Sequence, residues 1–148
     1  MNPAAPSVPP AQDALAAEHA AVYAYGVAGG VVDPLSDDGA RVRDAYAVHE
    51  RRRDQLESLL RGLGAEPVAA EPGYALPAPL TGAASATRLA VGIEDRCAVA
   101  YAAVVASSTG DVRRAAVDWL ADAATRGLGL GAAPTAFPGL ARPGQPAR

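Results

Sequence analysis

Two glutamates stand at matching places in two similar segments. Glu18 is followed seven residues later by Tyr25, and Glu94 seven residues later by Tyr101. On a helix that spacing is about two turns, so each acid shares a face with its tyrosine. Leu15, Glu18, Val22 and Tyr25 step by three and four residues, as do Ala90, Glu94, Cys97, Tyr101 and Val104. Both carboxylates therefore fall on apolar stripes that a helix turns toward a core. A carboxylate in such a place either ligates a metal or pairs with a cation, because an unpartnered buried charge costs several kcal/mol.

The remaining chemistry-bearing residues supply candidate partners. Projecting back from Leu56, Leu60 and Leu63 places Arg53, His49, Tyr46 and Val42 on the inner face of another helical segment. In the last such segment Asp118 and Asp122 lie one turn apart and face or border the core. The expected buried polar cluster is Glu18, His49, Arg53, Glu94 and Asp118, with Arg96 as a second candidate cation. A guanidinium between helices bonds carboxylates in bidentate fashion, so Arg53 is expected to take the space and charge of a cation. His19 is read as bonding at the edge of the seam, and Cys97 as small core filler. Tyr25 and Tyr101 read as core aromatics with bonded hydroxyls, and Trp119 as packing on a proline-rich segment or an oligomer face. A pocket around Tyr25, Tyr101 and Trp119 for a small ligand is a further, weaker reading. There is no glycine-rich phosphate loop after a strand and no nucleophile elbow, so nucleotide-binding and hydrolase readings lack support.

These residues need helices to position them, and the breakers mark where helices run. Helix one opens after Pro10 and stops at Gly29-Gly30; helix two is capped by Ser36, with Asp37 and Asp38 in its first turn, and ends before Gly64. Pro67, Pro72, Pro77 and Pro79 make residues 65–80 an extended crossover. Helix three is capped by Thr81 and broken at Ser107-Ser108-Thr109-Gly110; helix four ends at Gly127 and Gly129. Strand patterning is missing throughout. The expected architecture is all-α: a four-helix bundle of two helical hairpins over residues 11–130, with a disordered proline-rich leader at 1–10 and a proline-rich tail at 131–148.

The segments LAAEHAAVYAYG from Leu15, HERRRDQLESLLRGLG from His49, IEDRCAVAYAAVV from Ile93 and the TAFPGL close from Thr135 resemble the ferritin-like superfamily. Within it they resemble ferritin-like domains of unknown function found in actinobacteria. The resemblance implies an up-down-down-up bundle. In metal-containing members it implies a pair of iron or manganese ions held by Glu on helices one and three and by E-x-x-H on helices two and four. Glu18 and Glu94 match the first two positions. Glu50 matches the acid on helix two, but its histidine position is Arg53, and keeping His49 instead puts Tyr46 at the acid's place. On helix four, Ala121 and Thr125 stand three residues after Asp118 and Asp122. The metal candidates are thus Glu18, His49, Glu50, Glu94 and Asp118, an incomplete set.

Composition bounds the rest. The 148 residues carry a net charge of −3, are 50% hydrophobic and only 5% aromatic, and include no lysine, two histidines and one cysteine. No basic excess exists to neutralise phosphates, so nucleic acid is not an expected partner. The chain shows neither a membrane span nor the basic start of a signal peptide, and a single cysteine cannot form an internal disulfide; a soluble cytoplasmic protein is expected. Small residues favour close helix approach and a homodimer. The function expected is a binding or assembly module with a degenerate di-metal site and no cofactor. The alternative is a di-iron or di-manganese carboxylate oxidase or ferroxidase.

Overall fold

Breakers separate four helices in the computed structural model, which describes residues 5–140. These are α1 (Val8–Gly29), α2 (Asp37–Gly62), α3 (Ala83–Ser107) and α4 (Gly110–Gly129), and no strand occurs among the described residues. The chain is therefore an all-α four-helix bundle. Two boundaries differ from those read in the sequence. Pro9 and Pro10 lie inside the first turn of α1, where backbone N–H groups have no intrahelical acceptor and proline loses nothing. Residues 8–10 of the expected leader thus belong to α1, and residues 1–4 lie outside the described part. At α3 the N-cap is Gly82 rather than Thr81. Ser85 reaches back, its Oγ accepting from the Thr81 and Gly82 amides at 2.9 and 3.2 Å and donating to the Gly82 carbonyl at 2.8 Å. Ser36 caps α2 as expected, accepting from the Gly39 amide at 3.0 Å.

The tertiary contacts give the course of the chain. α1 packs against α2 and α3, and α3 against α4. The short α1–α2 and α3–α4 connections make each hairpin antiparallel. Between hairpins, Glu18 meets Tyr101 while Tyr25 meets Glu94, so α1 ascends as α3 descends. The order is up-down-down-up, which requires a connection as long as the bundle. Residues 63–82 provide it, lying along α1. The Gln12 side chain donates to the Glu66 carbonyl at 2.6 Å and accepts from the Val68 amide at 2.8 Å. Further along α1, His19 Nε2 donates to the Val68 carbonyl at 3.0 Å, and the Tyr23 and Tyr74 rings meet at 5.6 Å. A proline-rich segment that lacks a backbone donor at each proline is held here by side chains.

Alanine lines much of α1: Ala11, Ala14, Ala21, Ala24 and Ala28 are all buried. Such small side chains let α1 approach two neighbours at once, while Leu15, Leu56, Leu60, Ile93 and Val104 fill the wider spaces. After α4 the chain turns back, and Gly139, with φ of 76°, rests on the carbonyl of Ala98. Residues 141–148 of the expected tail lie outside the described part.

The α1–α2 turn makes one position intolerant. A Cβ on Gly39 would lie 2.2 Å from the Asp33 carbonyl oxygen and 2.9 Å from Pro34 Cα. Both are backbone atoms of the turn and cannot rotate away. Gly39→Ala is expected to destabilise the fold by about 1–3 kcal/mol despite alanine's higher helix propensity. An unchanged urea midpoint would refute this.

Candidate functional site

Glu18 on α1, His49 on α2 and Glu94 on α3 meet in the centre of the bundle, each no more than 1% exposed. His49 lies between the acids: Nδ1 is 2.7 Å from Glu18 Oε2, and Nε2 is 3.1 Å from Glu94 Oε1. Carboxylates only accept, so both contacts are hydrogen bonds when both ring nitrogens carry hydrogen, which makes the ring an imidazolium. The Tyr25 ring stacks on it with centroids 5.2 Å apart.

The tyrosines complete the pattern reciprocally. Tyr25 of α1 donates to Glu94 of α3 at 2.6 Å, and Tyr101 of α3 donates to Glu18 of α1. The repeated acid and tyrosine thus answer each other across an antiparallel helix pair. A seven-residue spacing on both helices suits this, because each acid is drawn level with the other helix's tyrosine.

Two arginines close the network. Arg126 of α4 donates to Glu94 Oε2 at 3.0 Å and to Asp122 at 2.5 Å. Arg52 of α2 donates to Asp122 at 2.9 Å and to the Tyr101 hydroxyl at 3.3 Å. Its guanidinium lies 5.3 Å from the Tyr101 ring centre and 5.9 Å from that of Trp119, within range of cation–π attraction. Its Nε is buried without a partner. Glu18, Glu94 and Asp122 balance His49, Arg52 and Arg126.

Several expected positions are corrected. Arg53 is not in this cluster; it points outward and pairs with Asp54 at 2.8 Å. Arg52, three residues after His49 and four before Leu56, occupies the inner face instead. Asp118 is exposed, because Trp119 is the α4 residue that turns inward, with Asp122 and Arg126 following it at helical spacing. Trp119 packs on Tyr101, with centroids 5.9 Å apart, and is buried rather than exposed at an oligomer face. Arg96 is exposed and Glu50 half-buried; neither joins the cluster. Arg126 was missed altogether. Its signal was the Asp122–Arg126 pair four residues apart in a helix whose inward phase Trp119 sets. Tyr25, Tyr101 and Trp119, around which a small-ligand pocket is a reading of the sequence, are buried and pack into this network. A cavity of about 350 Å³ lies elsewhere, lined by residues including Arg41, Val48, Arg126 and Leu130.

The donor set does not fit the di-iron or di-manganese centre that the resemblance implies. Both ring nitrogens of His49 are turned to the two carboxylates, a guanidinium holds the second oxygen of Glu94, and α4 presents an aspartate and an arginine in place of E-x-x-H.

Electrostatics support the ionised network. Burial opposes the charge on His49, but bonds to Cys97, Glu18 and Glu94 outweigh it and push its pKa from 6.5 up to about 11. Burial likewise opposes ionisation of Glu94, yet His49 and Arg126 hold it below the usual range; Arg52 and Arg126 do so for Asp122. Burial and the charge of Glu94 raise Tyr25, and burial with Cys97 and Glu18 raises Tyr101, so both remain donors. The lowered acids stabilise the fold above their ordinary values of 4.5 and 3.8 and lose that contribution as pH falls through their folded values. The raised histidine contributes fully below pH 6.5 and progressively less up to about 11. Stability is therefore expected to peak between about pH 4.5 and 6.5 and decline above it. Urea unfolding across pH checks this, and His49→Gln is expected to flatten the alkaline decline. A wild-type midpoint that rises from pH 6.5 to 9 would refute the assignment.

Residues 10–142 match the family described as "Domain of unknown function (DUF4439)". Among solved structures, the chain is similar to the crystal structure of a conserved hypothetical protein, rv2844, from Mycobacterium tuberculosis. That likeness has a TM-score of 0.78 at 36% sequence identity, covering 87% of this chain and 93% of that one. No curated protein matches the chain. No helix among the described residues is long and apolar enough to cross a membrane.

Proposed function

For this chain, which belongs to the DUF4439 family, we propose a non-catalytic binding or assembly module whose core is a degenerate di-metal site. The observation that carries the reading is His49, bonded through both ring nitrogens to both central carboxylates. In a carboxylate-bridged metal pair those oxygens face the ions. Here they accept hydrogen bonds from an imidazolium, two tyrosines and Arg126. The up-down-down-up course and the paired Glu-Tyr segments support descent from a ferritin-like ancestor whose metal charge was replaced by side-chain cations.

A core without di-metal chemistry leaves the outer surface to make contacts. Where the closing segment meets α3, Val99, Phe137 and Leu140 are 57%, 68% and 60% exposed. Apolar side chains of this size in one region suit a protein contact, and a homodimer through this face is the reading offered.

Protein expressed in iron- and manganese-replete medium is expected to contain far less than stoichiometric metal of either kind and to show no ferroxidase rate. Stoichiometric iron with a rate abolished by Glu18→Ala would establish the di-iron oxidase instead. Light scattering after gel filtration is expected to give a dimer that Phe137→Asp with Leu140→Asp converts to a monomer. A wild-type monomer at all concentrations would remove the assembly role.

A further inference from the structure

One residue at the centre bonds to His49 yet carries none of the network's charges. Cys97 on α3 is 1% exposed, and one donor atom from each of Glu18, His49 and Cys97 lies within 4.8 Å of the others. The three come from α1, α3 and the intervening α2, so the packed bundle brings them together. We propose that Glu18, His49 and Cys97 form a mononuclear site for a thiophilic divalent ion, zinc(II) foremost, taken up in exchange for two protons.

The donor chemistry selects the ion. Carboxylate, imidazole and thiolate suit zinc, whereas magnesium, calcium and manganese prefer oxygen alone. This set differs from a carboxylate-bridged pair: it uses the cysteine, takes nothing from α4, and leaves Glu94 as a support. The support is already built. With Nδ1, the nitrogen turned to Glu18, as the ligand, Nε2–H donates to Glu94 Oε1 at 3.1 Å, and Tyr101 donates to the Glu18 oxygen on the other side of that carboxylate. A carboxylate on the far nitrogen of a ligating histidine fixes its tautomer and orientation.

Charge conservation is the stronger argument. In the proton-filled state Glu18 is −1, His49 +1 and the Cys97 thiol neutral, which sums to zero. In the zinc-filled state Glu18 is −1, His49 neutral, the Cys97 thiolate −1 and the ion +2, again zero. Zinc enters, one proton leaves the imidazolium and one leaves the thiol, and no electron moves. Glu94, Asp122, Arg52 and Arg126 keep their partners in both states, so the ion substitutes without leaving an uncompensated buried charge.

Cobalt(II) tests this as a spectroscopic stand-in for zinc. Because the site is closed, the full chain is refolded from urea under a phosphine reductant with one equivalent of cobalt(II). The expected result is a thiolate-to-cobalt charge-transfer band in the near ultraviolet and intense visible bands of cobalt held by the three side chains with one neutral water as fourth donor, displaced by zinc(II). Cys97→Ser is expected to lose the charge-transfer band while keeping its helical circular dichroism. Absence of the band in folded wild type, or its survival in Cys97→Ser, overturns the proposal. Should Cys97→Ser fail to fold, wild type alone decides: zinc(II) at ten times its dissociation constant is expected to slow maleimide labelling of Cys97 about tenfold, and labelling insensitive to zinc refutes the site. Iron content and ferroxidase rate do not enter this readout, so it stands or falls separately from the reading of the core as a degenerate di-metal site.

Discussion

Two carboxylates share the middle of this bundle only because a positive group lies between them. The His49 ring fills that place, and much of the surrounding structure is arranged to suit it. Glu18 and Glu94 reach it from helices that touch directly, so those helices must be close and therefore lined with small residues. With both nitrogens protonated the ring donates to both acids, and the environment then holds its charge in a dry interior. Tyr25 stacks on it, and both tyrosine hydroxyls take up further carboxylate oxygens. A buried ion network of this kind adds less to stability than an apolar core of equal volume. What it supplies is register: sliding α1 along α3 by one turn would break both tyrosine bonds and at least one of the two histidine bonds.

The composition acquires a physical meaning in this light. With one phenylalanine and one tryptophan in the chain, the interior is filled chiefly by alanine and branched aliphatics, and tyrosine is the largest wholly buried side chain. The absence of lysine matters at the same places. A guanidinium bonds two acids at once through different nitrogens, as Arg126 does with Glu94 and Asp122, and it spreads its charge across aromatic faces, as Arg52 does over Tyr101 and Trp119. An ammonium in either position would make fewer directed bonds.

Helix number, hairpin pairing and the long middle connection were legible in the sequence because prolines and glycines punctuate it so heavily. The repeated acid and tyrosine were legible as a pattern, but their mutual bonding was not, since it depends on two helices running antiparallel at one particular offset. Arg52 and Arg53 show the limit of projecting a stripe. Stepping back from Leu56 by three or by four residues are equally good helical moves, and only the packed position of α2 between its neighbours selects the latter. On α4 the phase is set by Trp119, and Asp118 lies only about 40° further round the helix from it than Asp122 does, enough to leave Asp118 exposed. Arg126 escaped notice because an arginine in the last turn of a helix ordinarily faces the dipole and solvent. The α1 boundary was lost to reading a pair of prolines as exclusion from a helix when they stand where its first turn tolerates them.

The crossover along α1 also divides the charges of the central network into two lots. The hairpin before it contributes Glu18, His49 and Arg52, a sum of +1; the hairpin after it contributes Glu94, Asp122 and Arg126, a sum of −1. Neither hairpin is electrically closed by itself, and each carries inward the complement of the other. The strap of residues 63–82 therefore joins two halves that already specify one another, and mispairing like with like, as in an exchange of hairpins between molecules that set two first halves together, would bury charge of one sign. The core thus works as a lock on which half meets which, quite apart from anything the surface recognises.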